Sequence, residues 1–380
     1  MRERRPFLSF VLEYSLALPA GAAIALLWAN TSLDSYTRVA HTLEFSVNEI
    51  GMAFFFGLAA KEIVEATAPG GALHTWRRAA LPAIAALGGM VAPALLYVIV
   101  VRAMDADGFL RGWAIPCATD VAFSYMVAKA VFRRHPAIPF LLLLAVVDDA
   151  LGLLVLVVFY PSHEVRLLLG GLLLGAAIVV AYGLRKARVR SFWPYLVISG
   201  TMSWAAMFAG GLHPALALVP VVALMPHAAH DRGLFVEDPE ARDTLNQFEH
   251  AWKVPVQVVL FVFGLVNAGV PLRMYGPGTW VVLISILAGK PLGIVGAVLI
   301  AVAAGLHLPD RCRHADIVVV GCAASIGFTV ALFFATAAFP AGPALDQAKL
   351  GALLSVSGCG LTLVAAWLLK VGRFQLRSRH

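Results

Sequence analysis

The chain has 380 residues, of which 60% are hydrophobic and only 13% charged. A soluble domain carries about 25% charged residues, so this composition excludes a soluble globular protein and predicts an outer surface that faces lipid. The net charge of +7 does not indicate a nucleic-acid partner, because nothing in the sequence resembles such a binding module. The four cysteines show no C-x-x-C spacing and predict neither a metal site nor a disulfide framework.

The apolar stretches predict an all-α polytopic membrane protein of about twelve transmembrane helices. A span needs roughly 20 apolar residues, and charged breaks separate twelve candidates. They are 8–29, 46–66, 79–101, 113–130, 137–160, 165–184, 192–209, 211–226, 254–271, 278–305, 315–339 and 346–369. The first follows a basic cluster, and we interpret it as a retained span because its apolar run is too long for a signal peptide. We expect a single membrane domain over 1–380.

Lysine and arginine are distributed unequally between the alternate connections. With the N-terminus in the cytoplasm, 22 of the 29 lie on the cytoplasmic side and six on the outer side, while Lys290 lies inside the membrane. Cytoplasmic loops carry the excess of Lys and Arg. The distribution therefore predicts that both termini are cytoplasmic.

Four ionisable residues lie deep in apolar stretches: Asp120, Asp148, Asp149 and Lys290. Such groups are costly at the bilayer centre and usually functional, although a buried Asp–Lys pair can also serve only to fix helix packing. Successive helical residues point about 100° apart, so one aspartate can pair with the lysine while its neighbour faces a water-filled path. Carboxylates bind hard cations, and burial favours the protonated form of a carboxyl group. A proton and a cation would therefore compete.

Two stretches are helix-breaking at membrane depth. One runs from Pro116 to Asp120 and the other, around Gly327, from Ser325 to Thr329. They fall in spans 4 and 11, at corresponding places in two inverted repeats of about 79–160 and 278–369. Paired interrupted spans in corresponding halves indicate a transporter site.

The chain resembles the NhaA family of bacterial sodium/proton antiporters over nearly its whole length. Several motifs occur in the family's order. They are GWAIPCATDVAF, LAVVDDALG, GGLHPALA, the Phe-Glu-His stretch at 248–250, GLVNAGV, GKPLGI and SIGFTVALFF.

The resemblance implies a membrane transport domain with crossed, partly unwound spans 4 and 11. It implies electrogenic exchange at the bacterial inner membrane, with two protons entering for each Na⁺ or Li⁺ leaving, in pH and sodium homeostasis and without a cofactor. By motif position, Asp149 is similar to the principal cation and proton site, and Asp148 to the neighbour that pairs with Lys290 when no sodium is bound. The family leaves open whether that lysine carries a proton. Asp120 is similar to the residue that compensates the helix ends, and Thr119 to a threonine that lends an oxygen.

The sequence departs from the family pattern in the region of pH regulation. Ala59 occupies the position of a family glutamate, and Lys253 that of a second histidine. The resemblance still implies a regulatory role for Glu249 and His250, and His213 is a further candidate because histidine titrates near neutrality. Both departures put the usual pH regulation in doubt.

A homodimer is a further expectation from the family. Some members carry a dimerising β-hairpin after the first span, but the connection at about 30–45 has no room for it.

Three alternatives stay open. A sodium-coupled organic-anion carrier could use the same fold but would not need two adjacent aspartates beside a G-K-P stretch. A silent regulatory homologue would not need the intact set of intramembrane charges. An intramembrane aspartyl protease needs two aspartates that face each other across a water, which adjacent residues of one helix cannot do. We therefore expect a transporter rather than an enzyme.

Overall fold

The computed structural model describes residues 16–133, 135–162, 164–227 and 243–374. Helices form nearly all of these residues, and no strand occurs among them. In chain order they are α1 Ala17–Thr31, α2 Leu33–Phe45, α3 Met52–Thr67, α4 Trp76–Ala103, α5 Val121–Phe132, α6 Ala137–Phe159, α7 Leu167–Lys186, α8 Thr201–Gly210, α9 Leu218–Val222, α10 Thr244–Asn267, α11 Pro277–Ile284, α12 Lys290–Ala303, α13 His314–Ala324, α14 Phe328–Ala338, α15 Pro343–Leu354 and α16 Gly358–Leu368.

Short segments of other helical geometry join several of these helices without a break. Three are π-helical and lead into α3, α8 and α12, the second after a helical turn at Phe192–Pro194. Others are turns of 3-10 helix. The π segments are Ser46–Gly51, Tyr195–Gly200 and Ser285–Gly289, and the 3-10 turns are Asp107–Gly112, Ile115–Cys117, Pro214–Leu216, Leu272–Met274, Ser355–Ser357 and Gly372–Phe374.

The described helices confirm a polytopic, all-α membrane protein. Seven are long and apolar enough to cross a membrane, and two bent helix pairs raise the number to nine. This count does not confirm twelve spans. The basic N-terminal cluster, residues 228–242 and the last two arginines, Arg377 and Arg379, lie outside the described residues. The predicted topology, repeats and single domain stay predictions.

Three predicted segments differ from the observed helices. The connection at about 30–45 is helical, because α2 continues through Ser46–Gly51 into α3 without an intervening proline. The span expected at 254–271 begins ten residues earlier, where Asp243 accepts a hydrogen bond from the Asn246 N–H at 2.8 Å and caps α10. The first turns of α10 are polar, so a search for apolar stretches does not include them. The stretch 211–226 contains only a 3-10 turn and the short α9.

The described residues divide into two compact units. The first comprises Leu16–His74 with Leu153–Gly269, and the second comprises Thr75–Gly152 with Val270–His380, each as far as it is described. In the first unit α1 packs closely on α10, because a Cβ on Gly21 would lie 2.0 Å from the Phe261 carbonyl oxygen. A reciprocal amide pair between Asn48 and Asn267, at 2.8 and 3.2 Å, adds a buried polar contact.

In the second unit α4 crosses α12 at glycines. A Cβ on Gly293 would lie 2.1 Å from the Gly88 carbonyl oxygen, so the two backbones are nearly in contact. Lys290 begins α12 directly after the π segment, and Pro291, which follows it, has no N–H to continue the hydrogen-bond ladder. The close approach of the two helices at the glycines and the π geometry before α12 together determine the position of Lys290.

We expect Gly293→Ala to lower the melting temperature of the purified protein. The added methyl group meets backbone on α4, which cannot rotate away, so the two helices must separate. The matched control is Gly296→Ala on the same helix, where a Cβ would meet nothing within 4 Å. That change should leave the melting temperature unchanged or raise it, because alanine is favoured over glycine in a helix by about 0.5–1 kcal/mol. Equal losses for both variants would contradict the packing described.

Candidate functional site

The first interrupted span lies in the second unit and consists of 3-10 turns followed by α5. Its two parts, Asp107–Cys117 and Val121–Phe132, are bent by 55°. Pro116 lies in the turn Ile115–Cys117, and the chain is then extended at Ala118 and at Asp120. The break therefore falls where the sequence predicts it.

The second interrupted span has the same form. Helix α13 ends at Ala324, α14 begins at Phe328, and the two are bent by 50°. Gly327 precedes α14, and a Cβ there would lie 3.1 Å from the Ala118 carbonyl oxygen. The two breaks are thus in direct contact.

Asp120 binds the first turns of both α5 and α14. One carboxylate oxygen accepts from the Phe123 N–H at 3.2 Å. The other accepts from the Thr329 N–H at 3.2 Å and from the Thr329 hydroxyl. Helix N-termini carry partial positive charge and unpaired N–H groups, so one buried carboxylate neutralises two of them. The Asp120 N–H in turn donates to the Ile326 carbonyl at 2.6 Å.

A hydroxyl group from the first interrupted span pairs one of the carbonyl groups that are freed at the end of α13, and a second hydroxyl group lies near the next carbonyl. The Ser124 hydroxyl donates to the Ala323 oxygen at 2.7 Å, and the Thr119 hydroxyl lies 3.2 Å from the Ala324 oxygen. Irregular backbone at membrane depth is tolerated only where the protein itself supplies such partners or a water-filled cavity does.

Lys290 and Asp148 form a buried ion pair beside the first break. The ammonium nitrogen of Lys290 lies 2.8 Å from Asp148 Oδ2 and also donates to the Cys117 carbonyl. The same Asp148 oxygen accepts from the Thr119 hydroxyl at 2.6 Å. The lysine side chain is 0% exposed and that of the aspartate 2%. Three hydrogen bonds therefore meet around one ion pair that has no access to solvent.

Asp149 follows Asp148 on α6 but lies in a different environment. Asp148 is buried, whereas Asp149 is half-buried. The difference agrees with the rotation of about 100° between successive helical residues. The two carboxylates are thus neighbours in sequence with unequal access from outside the protein.

The described residues contain no group of three or more His, Cys, Asp or Glu side chains that could hold a metal ion. Beside the first break, the Thr119 hydroxyl oxygen lies 2.6 Å from Asp148 Oδ2.

Comparison with known proteins gives the family. The chain matches the Na⁺/H⁺ antiporter 1 family over residues 7–369. It is 43% identical over 375 residues to the Na⁺/H⁺ antiporter NhaA 1 of Pelobacter propionicus, covering 94% of this chain and 96% of the relative. It is 42% identical over 381 residues to the Na⁺/H⁺ antiporter NhaA of Geobacter metallireducens, covering 97% and 99%. The chain belongs to the Na⁺/H⁺ antiporter 1 family.

A solved structure supports the fold of this antiporter-family chain. The sodium proton antiporter MjNhaP1 from Methanocaldococcus jannaschii, at pH 8, matches with a TM-score of 0.55 at 18% sequence identity. The match covers 94% of this chain and 92% of the other. It confirms a helical membrane fold of the antiporter kind.

The second unit of this family member brings together most of the residues that the sequence singles out. Thr119, Asp148 and Lys290 are connected by hydrogen bonds, and Asp120 joins the two breaks beside Gly327. Their roles in binding ions and protons stay predictions.

The candidates for pH regulation lie in the first unit and do not form one group. Glu249 pairs with the buried Lys61 at 2.6 Å, and Glu65 pairs with the same lysine. His250, on the same helix as Glu249, is exposed. His213 Nδ1 lies 3.8 Å from a carboxylate oxygen of Glu49.

Sequence reasoning missed three parts of the site: Ser124, the Thr329 hydroxyl and the carbonyl group of Cys117. Thr329 lies within the I-G-F-T motif and could have been recognised as a cap residue. Ser124 follows Asp120 by four residues, which places it on the same side of α5. A carbonyl group leaves no trace in the sequence, so its contact with Lys290 could not be predicted.

We expect Lys290→Met and Asp148→Asn each to lower the melting temperature strongly, and the double variant to recover much of the loss. Removing one partner leaves an unpaired buried charge, which destabilises by about 3–5 kcal/mol, whereas replacing both is often nearly neutral. Thermal melting of the four proteins in one detergent measures the coupling. If the double variant loses the sum of the two single losses, the ion pair is not the stabilising contact described.

Proposed function

We propose that this chain exchanges cytoplasmic Na⁺ or Li⁺ for external H⁺ through Asp148 and Asp149. The carrying observation is the buried pair of Lys290 and Asp148, 2.8 Å apart beside two interrupted spans. Membership in the antiporter family and the names of the relatives support the same reaction.

Competition for one site accounts for exchange. A carboxylate that binds Na⁺ gives up its proton, and a carboxyl group that holds its proton no longer presents a negative charge to the ion. Asp149, half-buried beside the buried Asp148, is the carboxylate that we assign as the first contact of the entering ion. An oxygen of Thr119 is close enough to Asp148 to join it in binding the ion.

Lys290 holds Asp148 when no sodium is bound. Its ammonium group supplies the positive charge that Na⁺ would supply, so the arriving ion and the lysine are alternative partners of one carboxylate. The Cys117 carbonyl already accepts a hydrogen bond from the ammonium group, and it offers a partner that stays in place if the ion pair opens.

The proposed exchange moves charge. Two protons that enter for each Na⁺ that leaves carry one net positive charge inward, so the membrane potential would drive the reaction. We do not assign Asp120 as a proton carrier, because its carboxylate already accepts hydrogen bonds from the first turns of two helices. The two carboxylates and Lys290 are the groups that could carry the second proton.

The proposed setting is the inner membrane of a bacterium, where such exchange lowers cytoplasmic sodium and acidifies the cytoplasm against alkali. Glu249, His250 and His213 are the candidates for regulating it by pH. The ion cluster of Lys61 with Glu65 and Glu249 supports a role for Glu249. We also propose a homodimer. A β-hairpin after the first span would not mediate it, because residues 33–45 are helical.

No observation in the described residues favours an organic-anion carrier, a silent homologue or a protease. The pair of Asp148 and Lys290 is intact, which a silent homologue would not require. The two aspartates nearest each other in sequence share one helix, which does not suit a protease.

Reconstituted vesicles with an acidic interior test the exchange. Adding Na⁺ outside should collapse the proton gradient for the native chain and not for Asp149→Asn, because the amide cannot exchange a proton for the ion. The matched control is Glu44→Gln, which removes an exposed carboxylate on α2 and should behave like the native protein. A native chain that ignores both Na⁺ and Li⁺ across a wide range of pH would refute the proposal.

The same vesicles test the charge that is moved. With a potassium ionophore to set the membrane potential, the rate of gradient collapse should change with the potential. A rate independent of the potential would leave sodium–proton exchange in place but would exclude two protons for each Na⁺.

A further inference from the structure

The last helical segment contains an interruption of its own. Helix α15 ends at Leu354, the turn Ser355–Ser357 is a 3-10 helix, and α16 begins at Gly358. Two serines of this turn have opposite environments. Ser355 is fully buried, whereas Ser357 is exposed.

The Ser355 hydroxyl binds the second interrupted span. It accepts a hydrogen bond from the Gly327 N–H at 3.2 Å and donates to the Ala352 carbonyl at 2.6 Å. A hydroxyl group has one hydrogen and two lone pairs, so both bonds form together. Because its hydrogen is donated to Ala352, the oxygen lone pairs are free to accept from the Gly327 N–H.

Gly327 needs this partner because it precedes α14. The first N–H groups of a helix have no acceptor within the helix, and a bilayer offers no water to replace one. Asp120 binds the Thr329 N–H two residues further on. The start of α14 is therefore held from two directions, by Asp120 and by Ser355.

Gly358 brings α16 close to the same break. A Cβ at this position would lie 3.0 Å from Ile326 Cγ1 and 3.1 Å from the Ser325 hydroxyl oxygen. These contacts are tighter than ordinary van der Waals distances, so a larger residue would push against the side chains of Ile326 and Ser325 within the break. The contact is independent of the hydrogen bond and acts on the neighbouring residues of the break.

We propose that Ser355 is a positioning residue for transport. It fixes where α14 begins, and thereby holds the Thr329 N–H and hydroxyl against Asp120 at the junction of the two breaks. The inference rests on the proposed sodium–proton exchange, because its effect is expressed through the geometry of that site. Ser355 itself touches neither Asp148 nor Asp149 in the contacts described.

The test compares Ser355→Ala with Ser357→Ala, which removes a hydroxyl group from the same turn. We expect the first variant to raise the half-saturating Na⁺ concentration about tenfold, which corresponds to about 1.4 kcal/mol, and the second to leave it unchanged. Hydrogen exchange of the peptide covering residues 325–331 should accelerate in Ser355→Ala alone. A residue that merely stabilised the fold would lower the melting temperature without moving the sodium dependence of the folded protein.

A second pair of variants covers the case in which Ser355→Ala does not fold. Gly358→Ala should also weaken apparent sodium affinity, whereas Gly360→Ala, where a Cβ would meet nothing within 4 Å, should not. Native-like sodium dependence and exchange rates in both Ser355→Ala and Gly358→Ala would overturn the inference. If the native chain itself moves no sodium, the proposed function fails, and the exchange rates at 325–331 still decide whether Ser355 positions the break.

Discussion

Every peptide group that a broken helix frees inside the membrane must find a partner within the protein or in a water-filled cavity, and this constraint organises the second unit. Residues of each break supply hydrogen-bond partners for the peptide groups that the other break frees. Asp120 accepts N–H groups from α5 and α14, its own N–H donates to Ile326, and Ser124 pairs with the Ala323 carbonyl. Moving either break would leave several of these groups without partners, so the breaks are held as one element.

The buried charges depend on that arrangement. Lys290 donates to the Cys117 carbonyl at the end of the 3-10 turn in the first break, and the same ammonium group lies 2.8 Å from Asp148 Oδ2. The glycine-lined crossing of α4 and α12 and the π segment before Lys290 determine where the ammonium group lies. Taking two charges out of water is costly, and the cost is offset only when further hydrogen bonds satisfy them. A pair supported in this way can exist without solvent and still be opened by a competing cation.

The sequence alone predicted the fold class, the two breaks and the candidate charges, because each leaves a local signal: apolar length, a Pro or Gly at membrane depth, or an ionisable residue in an apolar run. Polar helical turns gave no such signal, so the predictions missed α2 and the beginning of α10. Backbone partners such as the Cys117 carbonyl also leave no local signal in the sequence. Ser124 and Ser355 could not be singled out either, because their roles depend on the distant carbonyl or N–H group that each one contacts. These contacts arise only from tertiary packing.

The central claim is that sodium and protons compete for the carboxylates of Asp148 and Asp149. The most direct measurement is Na⁺ binding to the purified protein by titration calorimetry, repeated at several values of pH. The account predicts that apparent affinity falls as pH falls, by up to about tenfold per pH unit for each proton displaced, and that Asp149→Asn abolishes this dependence. A sodium affinity that is measurable and independent of pH would contradict it.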